Sequence, residues 1–93
     1  MTVALLQVEL FLPAARSLKD KRIVLRRLKD RIGSFNVAIA EVEHQDLWQR
    51  AGLAMVTVAT DDTGAEQTLT AVMNEIERLE PGLATRSQVD YLR

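Results

Sequence analysis

Apolar and polar residues alternate along the first dozen positions of the chain. Residues 3–12 are apolar at every even position, whereas the odd positions include the polar residues Gln7 and Glu9. A period of two is typical of a β-strand that covers a core with one face. Pro13 lacks a backbone N–H, so we expect the first strand to end there.

The period then changes to that of a helix. Ser17, with Asp20 three residues later, resembles a helix N-cap and its capping box. At 3.6 residues per turn, one side of the predicted helix is apolar. That side carries Leu18, Leu25, Leu28 and Ile32, flanked by Val24. Gly33 marks the end of the helix.

Two short apolar segments rich in β-branched residues follow, over residues 35–42 and 52–60. We predict a strand in each. The polar segment 43–50 connects them, and its Leu47 and Trp48 are able to pack back onto the core.

Thr63 and Glu66 form a second capping box, which predicts the start of a second helix. Apolar residues recur at helical spacing after it, and Pro81 with Gly82 closes the helix. Residues 83–92 are polar and weakly alternating, a pattern that suits a strand at the edge of a sheet.

This order predicts one α+β domain over residues 1–93, a ferredoxin-like βαββαβ sandwich. Its two helices cover one face of a four-stranded antiparallel sheet. The third strand is apolar on both sides, with Leu53 on one and Val56 on the other. A second copy of the chain is the simplest cover for the helix-free face, which predicts a homodimer.

Several classes of function are excluded by what the sequence lacks. The chain has no cysteine and one histidine, so we expect no metal centre and no thiol chemistry. It has no glycine-rich phosphate loop and no nucleophile elbow, so we predict no catalytic residue, no cofactor and no enzymatic activity. No signal peptide or membrane-length apolar run is present, so we expect a cytoplasmic protein without a membrane partner.

Charge is distributed unevenly along the chain. Residues 16–31 contain eight basic and two acidic side chains, a net charge of +6, whereas residues 61–80 have a net charge of −5. On the predicted helix the basic residues form a continuous stripe, which suits the phosphate backbone of a nucleic acid. The predicted nucleic-acid-binding residues are Arg16, Lys19, Arg22, Arg26 and Lys29. The alternative is a merely solvated helix face.

Lys21 falls inside the apolar arc of the same helix. A buried ammonium needs a partner, and the candidate carboxylates are Glu9, Glu41 and Asp46. Near the helix start the side chain is also able to reach solvent past the sheet edge. A structural ion pair and a ligand-binding lysine both remain open.

Glu41, Glu43, His44 and Asp46 form the part of the chain most similar to an active site. A histidine beside carboxylates is suited to acid–base chemistry or to metal binding. In a regular strand, however, Glu41 and Glu43 share one face and His44 points to the other. We therefore favour a loop or interface role for Glu41, His44 and Asp46.

Two sequence blocks resemble a known family. The first block is Ser17-Leu18-Lys19-Asp20-Lys21-Arg22. The second block consists of Phe35-Asn36-Val37-Ala38-Ile39-Ala40-Glu41-Val42, followed by His44-Gln45-Asp46-Leu47-Trp48-Gln49-Arg50-Ala51. Both are similar to the YlxP-like family of small bacterial proteins, a domain of unknown function with a ferredoxin-like fold. Genes of that family often neighbour those of a translation initiation factor and ribosome-binding factor A. The resemblance therefore implies a role near translation. Family members often have serine where this chain has Ala38, which further weakens an enzymatic interpretation.

The leading hypothesis is a non-enzymatic protein that docks on ribosomal RNA or a ribosomal subunit through its first helix. The alternative is a homodimeric protein-interaction module that uses the helix-free sheet face. A third hypothesis, a small enzyme built on Glu41, His44 and Asp46, has the least support.

Overall fold

The computed structural model describes residues 1–92. Its elements follow the predicted order β-α-β-β-α-β. They are β1 (Thr2–Phe11), α1 (Leu18–Ile32), β2 (Ala38–Glu43), β3 (Arg50–Ala59), α2 (Asp62–Leu79) and β4 (Ala84–Leu92). The strands form one antiparallel sheet in the order β2-β3-β1-β4. The ferredoxin-like prediction is confirmed, and β4 is an edge strand as expected.

The core lies between one face of the sheet and the two helices. The even positions of β1 are buried from Ala4 to Leu10, as the alternation predicted. They pack against three sets of buried residues. These are Ala51, Leu53 and Met55 of β3, Leu25, Leu28 and Ile32 of α1, and Ala65, Leu69, Val72 and Ile76 of α2. The odd positions of β1 therefore face away from the helices.

The two helix starts differ in how well the sequence predicted them. Ser17 caps α1 as predicted, since its Oγ accepts a hydrogen bond from the backbone N–H of Asp20 at 3.0 Å. The prediction that a capping box of Thr63 and Glu66 starts the second helix is wrong. Asp61 is the N-cap of α2, and its Oδ1 accepts from Gly64 N at 2.8 Å. A carboxylate two residues earlier satisfies the free N–H groups first, so the helix starts before Thr63.

β2 is shorter at its start and longer at its end than predicted. Residues 33–37 form turns and bends after α1, in which Phe35 N donates to Ile32 O and Val37 N donates to Phe35 O. A bulge then shifts the pairing between Glu41 and Glu43, which oppose Leu53 and Gly52 of β3. An inserted residue reverses the alternation of faces, so Glu41 and Glu43 lie on opposite sides of the sheet. The prediction that they share a face is wrong for this reason.

In the part of the chain that the structure describes, no helix is long and apolar enough to cross a membrane.

Candidate functional site

The basic residues of α1 form an exposed stripe on one flank of the helix. Lys19, Arg22, Arg26 and Lys29 are all exposed, and Arg16 is exposed just before the N-cap. We call these five residues the basic stripe. Arg31 lies on the opposite flank and reaches Glu75 of α2 at 3.2 Å. The basic stripe therefore faces away from α2, on the side of the edge strand β2.

No residue of the basic stripe has an ion-pair partner among residues 1–92. Glu75 of α2 lies beyond Arg31, on the far side of the helix. Asp20, the acidic residue of the first turn, accepts instead from the backbone N–H of Arg16 at 2.9 Å. The basic stripe thus presents positive charge that the fold leaves available to a partner.

Lys21 differs from its basic neighbours because it is 1% exposed. Its Nζ donates to the carbonyl oxygens of His44 at 2.8 Å, Arg50 at 3.2 Å and Gln45 at 3.3 Å. These three acceptors match the three protons of an ammonium group. Lys21 therefore ties the loop between β2 and β3 to the first turn of α1.

The counter-charge for Lys21 is Glu41. Its Oε2 lies 2.9 Å from Nζ. The contact geometry does not suit a hydrogen bond, and this buried oxygen accepts none from the residues that the structure describes. Glu41 thus neutralises the charge of the ammonium group, while backbone carbonyl oxygens accept its hydrogen bonds. The other two candidate partners, Glu9 and Asp46, do not contact it.

A second polar cluster lies across the sheet from Lys21. The odd position of Glu9 in β1 places its side chain on the helix-free face, where Oε1 lies 2.7 Å from His44 Nε2 and 2.9 Å from an Arg50 nitrogen. Glu43 Oε2 lies 3.8 Å from the same imidazole nitrogen. We call Glu9, Glu43 and His44, with Arg50 beside them, the Glu9 cluster.

The backbone brings the Glu9 cluster together. Gly52 of β3 pairs with Glu9 on one side and with Glu43 on the other. His44 has a positive φ of 62°, which non-glycine residues seldom adopt, as the chain leaves β2. The predicted group of Glu41, His44 and Asp46 is thereby divided. Glu41 lies with Lys21 on the helix side, and His44 joins the Glu9 cluster. Asp46 is exposed in the loop.

The loop between β2 and β3 also exposes apolar side chains. Leu47 and Trp48 are 46% and 53% exposed and do not pack back onto the core, an arrangement that the sequence allowed. They line an open groove together with Phe11 at the end of β1. The hydrogen bonds of Lys21 hold the loop backbone on both sides of this pair, so the side chains point outward from a fixed loop.

Sequence reasoning missed Glu9 and Arg50 as neighbours of His44. Glu9 is 35 positions from His44, and only the register of β1, β3 and β2 brings them together. The local sequence gives one indication of a role for Glu9, namely a charged residue inside an otherwise mostly apolar strand.

Comparison with known proteins places the chain in a family. Residues 3–88 match the sequence model of the family described as "Protein of unknown function (DUF503)". The chain is also similar to the "Uncharacterized protein YlxP" of Bacillus subtilis (strain 168). They are 39% identical over 64 residues, which cover 68% of this chain and 70% of that protein.

A solved structure with a TM-score above 0.5 shares its fold. A de novo designed protein with a ferredoxin fold superposes with a TM-score of 0.57 at 13% identity, over 99% of this chain and 84% of the design. A dimeric ferredoxin-like protein from an uncultured marine organism gives a TM-score of 0.42 at 8% identity, over 98% of this chain and 86% of that one. At these identities the likeness concerns the fold alone.

Proposed function

The chain belongs to the DUF503 family of proteins of unknown function, and we propose that it is a non-enzymatic RNA-binding protein that docks through the basic stripe of α1. Its partner is ribosomal RNA, free or within a ribosomal subunit. The observation that carries the proposal is the exposed and unpaired state of Lys19, Arg22, Arg26 and Lys29.

The dimensions of the basic stripe suit a nucleic-acid backbone. Ten residues separate Lys19 from Lys29, which at 1.5 Å per residue corresponds to about 15 Å along the helix axis. Positive groups spaced along such a length neutralise several phosphates at once and release their counterions. Because the stripe faces away from α2, Glu75 of that helix lies on the side away from the bound RNA.

The sheet is less suited to RNA than the helix. Domains of this topology that bind RNA on the sheet stack bases on aromatic residues of the central strands. Here the helix-free face of β1 and β3 carries Leu5, Ala54 and Val56 at its centre. Phe11 lies at the end of the strand. Base stacking at the centre of the sheet is therefore not available.

The resemblance to the YlxP-like family implies a role near translation, which agrees with this proposal. Co-sedimentation of the purified protein with ribosomal subunits across a salt series tests the partner. We expect binding at low salt that decreases as salt increases. We expect an Arg22→Glu, Arg26→Glu variant not to co-sediment. Absence of wild-type binding at low salt would contradict a ribosomal partner.

A second candidate function, a homodimeric interaction module, is favoured by the apolar end of the helix-free face. Val58 and Leu92 both pair with Val3 and are 51% and 55% exposed. In such a dimer a second copy of the chain covers these side chains. Sedimentation equilibrium at micromolar concentration tests it. A Val58→Glu variant is expected to be monomeric, and a monomeric wild type would contradict the dimer.

A further inference from the structure

Although the sequence alone predicts no metal centre, we propose that Glu9, Glu43 and His44 bind a divalent transition-metal ion on the helix-free face of the sheet. One potential ligand atom from each residue lies within 4.8 Å of the other two. His44 Nε2 is 2.7 Å from Glu9 Oε1 and 3.8 Å from Glu43 Oε2. Ligands bound to one ion at about 2.1 Å lie about 3.0–4.2 Å apart. His44 Nε2 and Glu9 Oε1 are at hydrogen-bond distance, so ion binding replaces that hydrogen bond and moves the two atoms slightly apart, while the exposed side chain of Glu43 moves closer.

The donor atoms indicate the class of ion. An imidazole nitrogen with carboxylate oxygens suits Zn²⁺, Fe²⁺, Mn²⁺ or Ni²⁺, whereas Ca²⁺ and Mg²⁺ prefer oxygen ligands alone. Three protein ligands leave at least one coordination position to water, as in open zinc sites. The two carboxylates supply charge that matches the ion.

Gly52 provides the space for this site. It lies between Glu9 and Glu43 in the register of the three strands. A Cβ atom at residue 52 would lie 2.7 Å from Glu43 Cβ, a distance that real side chains essentially never adopt. A cavity of about 180 Å³ opens beside it, lined by Glu9 and Glu43 together with Gln7, Arg86 and Gln88. His44 is not among the residues that line this cavity and reaches Glu9 from the neighbouring loop. The glycine thus lets two carboxylates from non-adjacent strands converge above the central strand.

The loop fixes the third ligand. Lys21 holds the carbonyl oxygen of His44 at 2.8 Å on the helix side, while the imidazole lies beside Glu9 on the opposite side. A ligand held in place before binding loses less conformational entropy when the ion arrives. Without an ion, a guanidinium nitrogen of Arg50 lies 2.9 Å from Glu9 Oε1 and offsets its negative charge. This ion pair reduces the repulsion between the carboxylates of Glu9 and Glu43.

The composition of the chain allows a direct test. His44 is its only histidine and there is no cysteine, so the imidazole signals of the tag-free protein report on this site alone. Zn²⁺ is titrated into the protein and these signals are followed by NMR. We expect saturable shifts that fit one ion per chain. Co²⁺ should give paramagnetic shifts of the same signals.

Matched variants distinguish ion binding by all three residues from weak binding to the histidine alone. Glu9→Gln and Glu43→Gln keep the side-chain size and remove one charged ligand each, so each should weaken Zn²⁺ binding by about tenfold or more. Glu66→Gln, on the exposed surface of α2, makes the same change elsewhere and should leave binding unchanged. Backbone amide spectra verify that each variant is folded. The site is refuted if the His44 signals do not respond to millimolar Zn²⁺, or if the Glu9 and Glu43 variants bind as the wild type does.

Discussion

The ammonium group of Lys21 lies 2.8 Å from the carbonyl oxygen of His44, and this contact joins the first helix to the loop between β2 and β3. Two surfaces of the protein depend on the same loop. On the helix side it lies next to the first turn of α1, where the basic stripe begins. On the other side it supplies His44 to the Glu9 cluster.

Replacing Lys21 should destabilise the whole fold. A Lys21→Met variant leaves the buried Oε2 of Glu41 without its counter-charge and frees three carbonyl acceptors. Loss of one member of a buried ion pair costs about 3–5 kcal/mol, a large part of the stability of a small domain. Urea denaturation measures the change.

A double variant tests the origin of that loss. Adding Glu41→Gln to Lys21→Met removes the unpaired charge and should recover part of the stability. If the free energy of unfolding of Lys21→Met lies within about 1 kcal/mol of the wild-type value, the contacts of Lys21 contribute little to stability.

Gly52→Ala should strain the junction of β2 and β3. The added Cβ would lie 2.7 Å from Glu43 Cβ, and an overpacked contact of this kind costs about 1–3 kcal/mol. Because the added atom conflicts with the Cβ of Glu43, removing that Cβ should relieve the strain. Gly52→Ala should therefore destabilise a Glu43→Gly variant less than it destabilises the wild type. A double-mutant cycle by thermal or chemical denaturation measures this coupling. Additive effects would indicate that the two residues do not meet.

The start of α2 can be located by substitution. Asp61→Ala removes the side chain that accepts from Gly64 N and should cost about 1 kcal/mol of folding free energy. Thr63→Ala, at the position that the sequence pattern favoured, should change stability by less than about 0.5 kcal/mol. A larger effect at Thr63 than at Asp61 would place the N-cap at the later residue.

The parts of the fold that follow from local pattern could be predicted from sequence. Alternation located β1, because every second side chain from Ala4 to Leu10 enters one core. Helical spacing placed Lys21 in the buried arc of α1. The start of α2 was misplaced because Asp61 and Thr63 are both plausible caps, and only the backbone shows which side chain reaches a free N–H.

The candidate sites depended more on the assembled sheet. The stripe on α1 needed only helix geometry. The Glu9 cluster needed the bulge between Glu41 and Glu43, which leaves no clear mark in sequence and reverses which side chains share a face. It also needed strand register, since Glu9 and His44 meet only across β3. Long-range pairing of this kind is not encoded in any local window.

Binding of a labelled single-stranded RNA as a function of salt tests the central proposal most directly. If Lys19, Arg22, Arg26 and Lys29 each neutralise one phosphate, the slope of log affinity against log salt is about −3, and affinity falls roughly 50-fold between 50 and 200 mM salt. Arg22→Glu with Arg26→Glu should reduce this slope by about half and weaken binding at least tenfold. Arg27→Glu with Arg78→Glu makes the same change in net charge at exposed positions outside the basic stripe and should retain most of the affinity. Equal losses in the two double variants, or a salt-independent affinity, would contradict docking through the basic stripe.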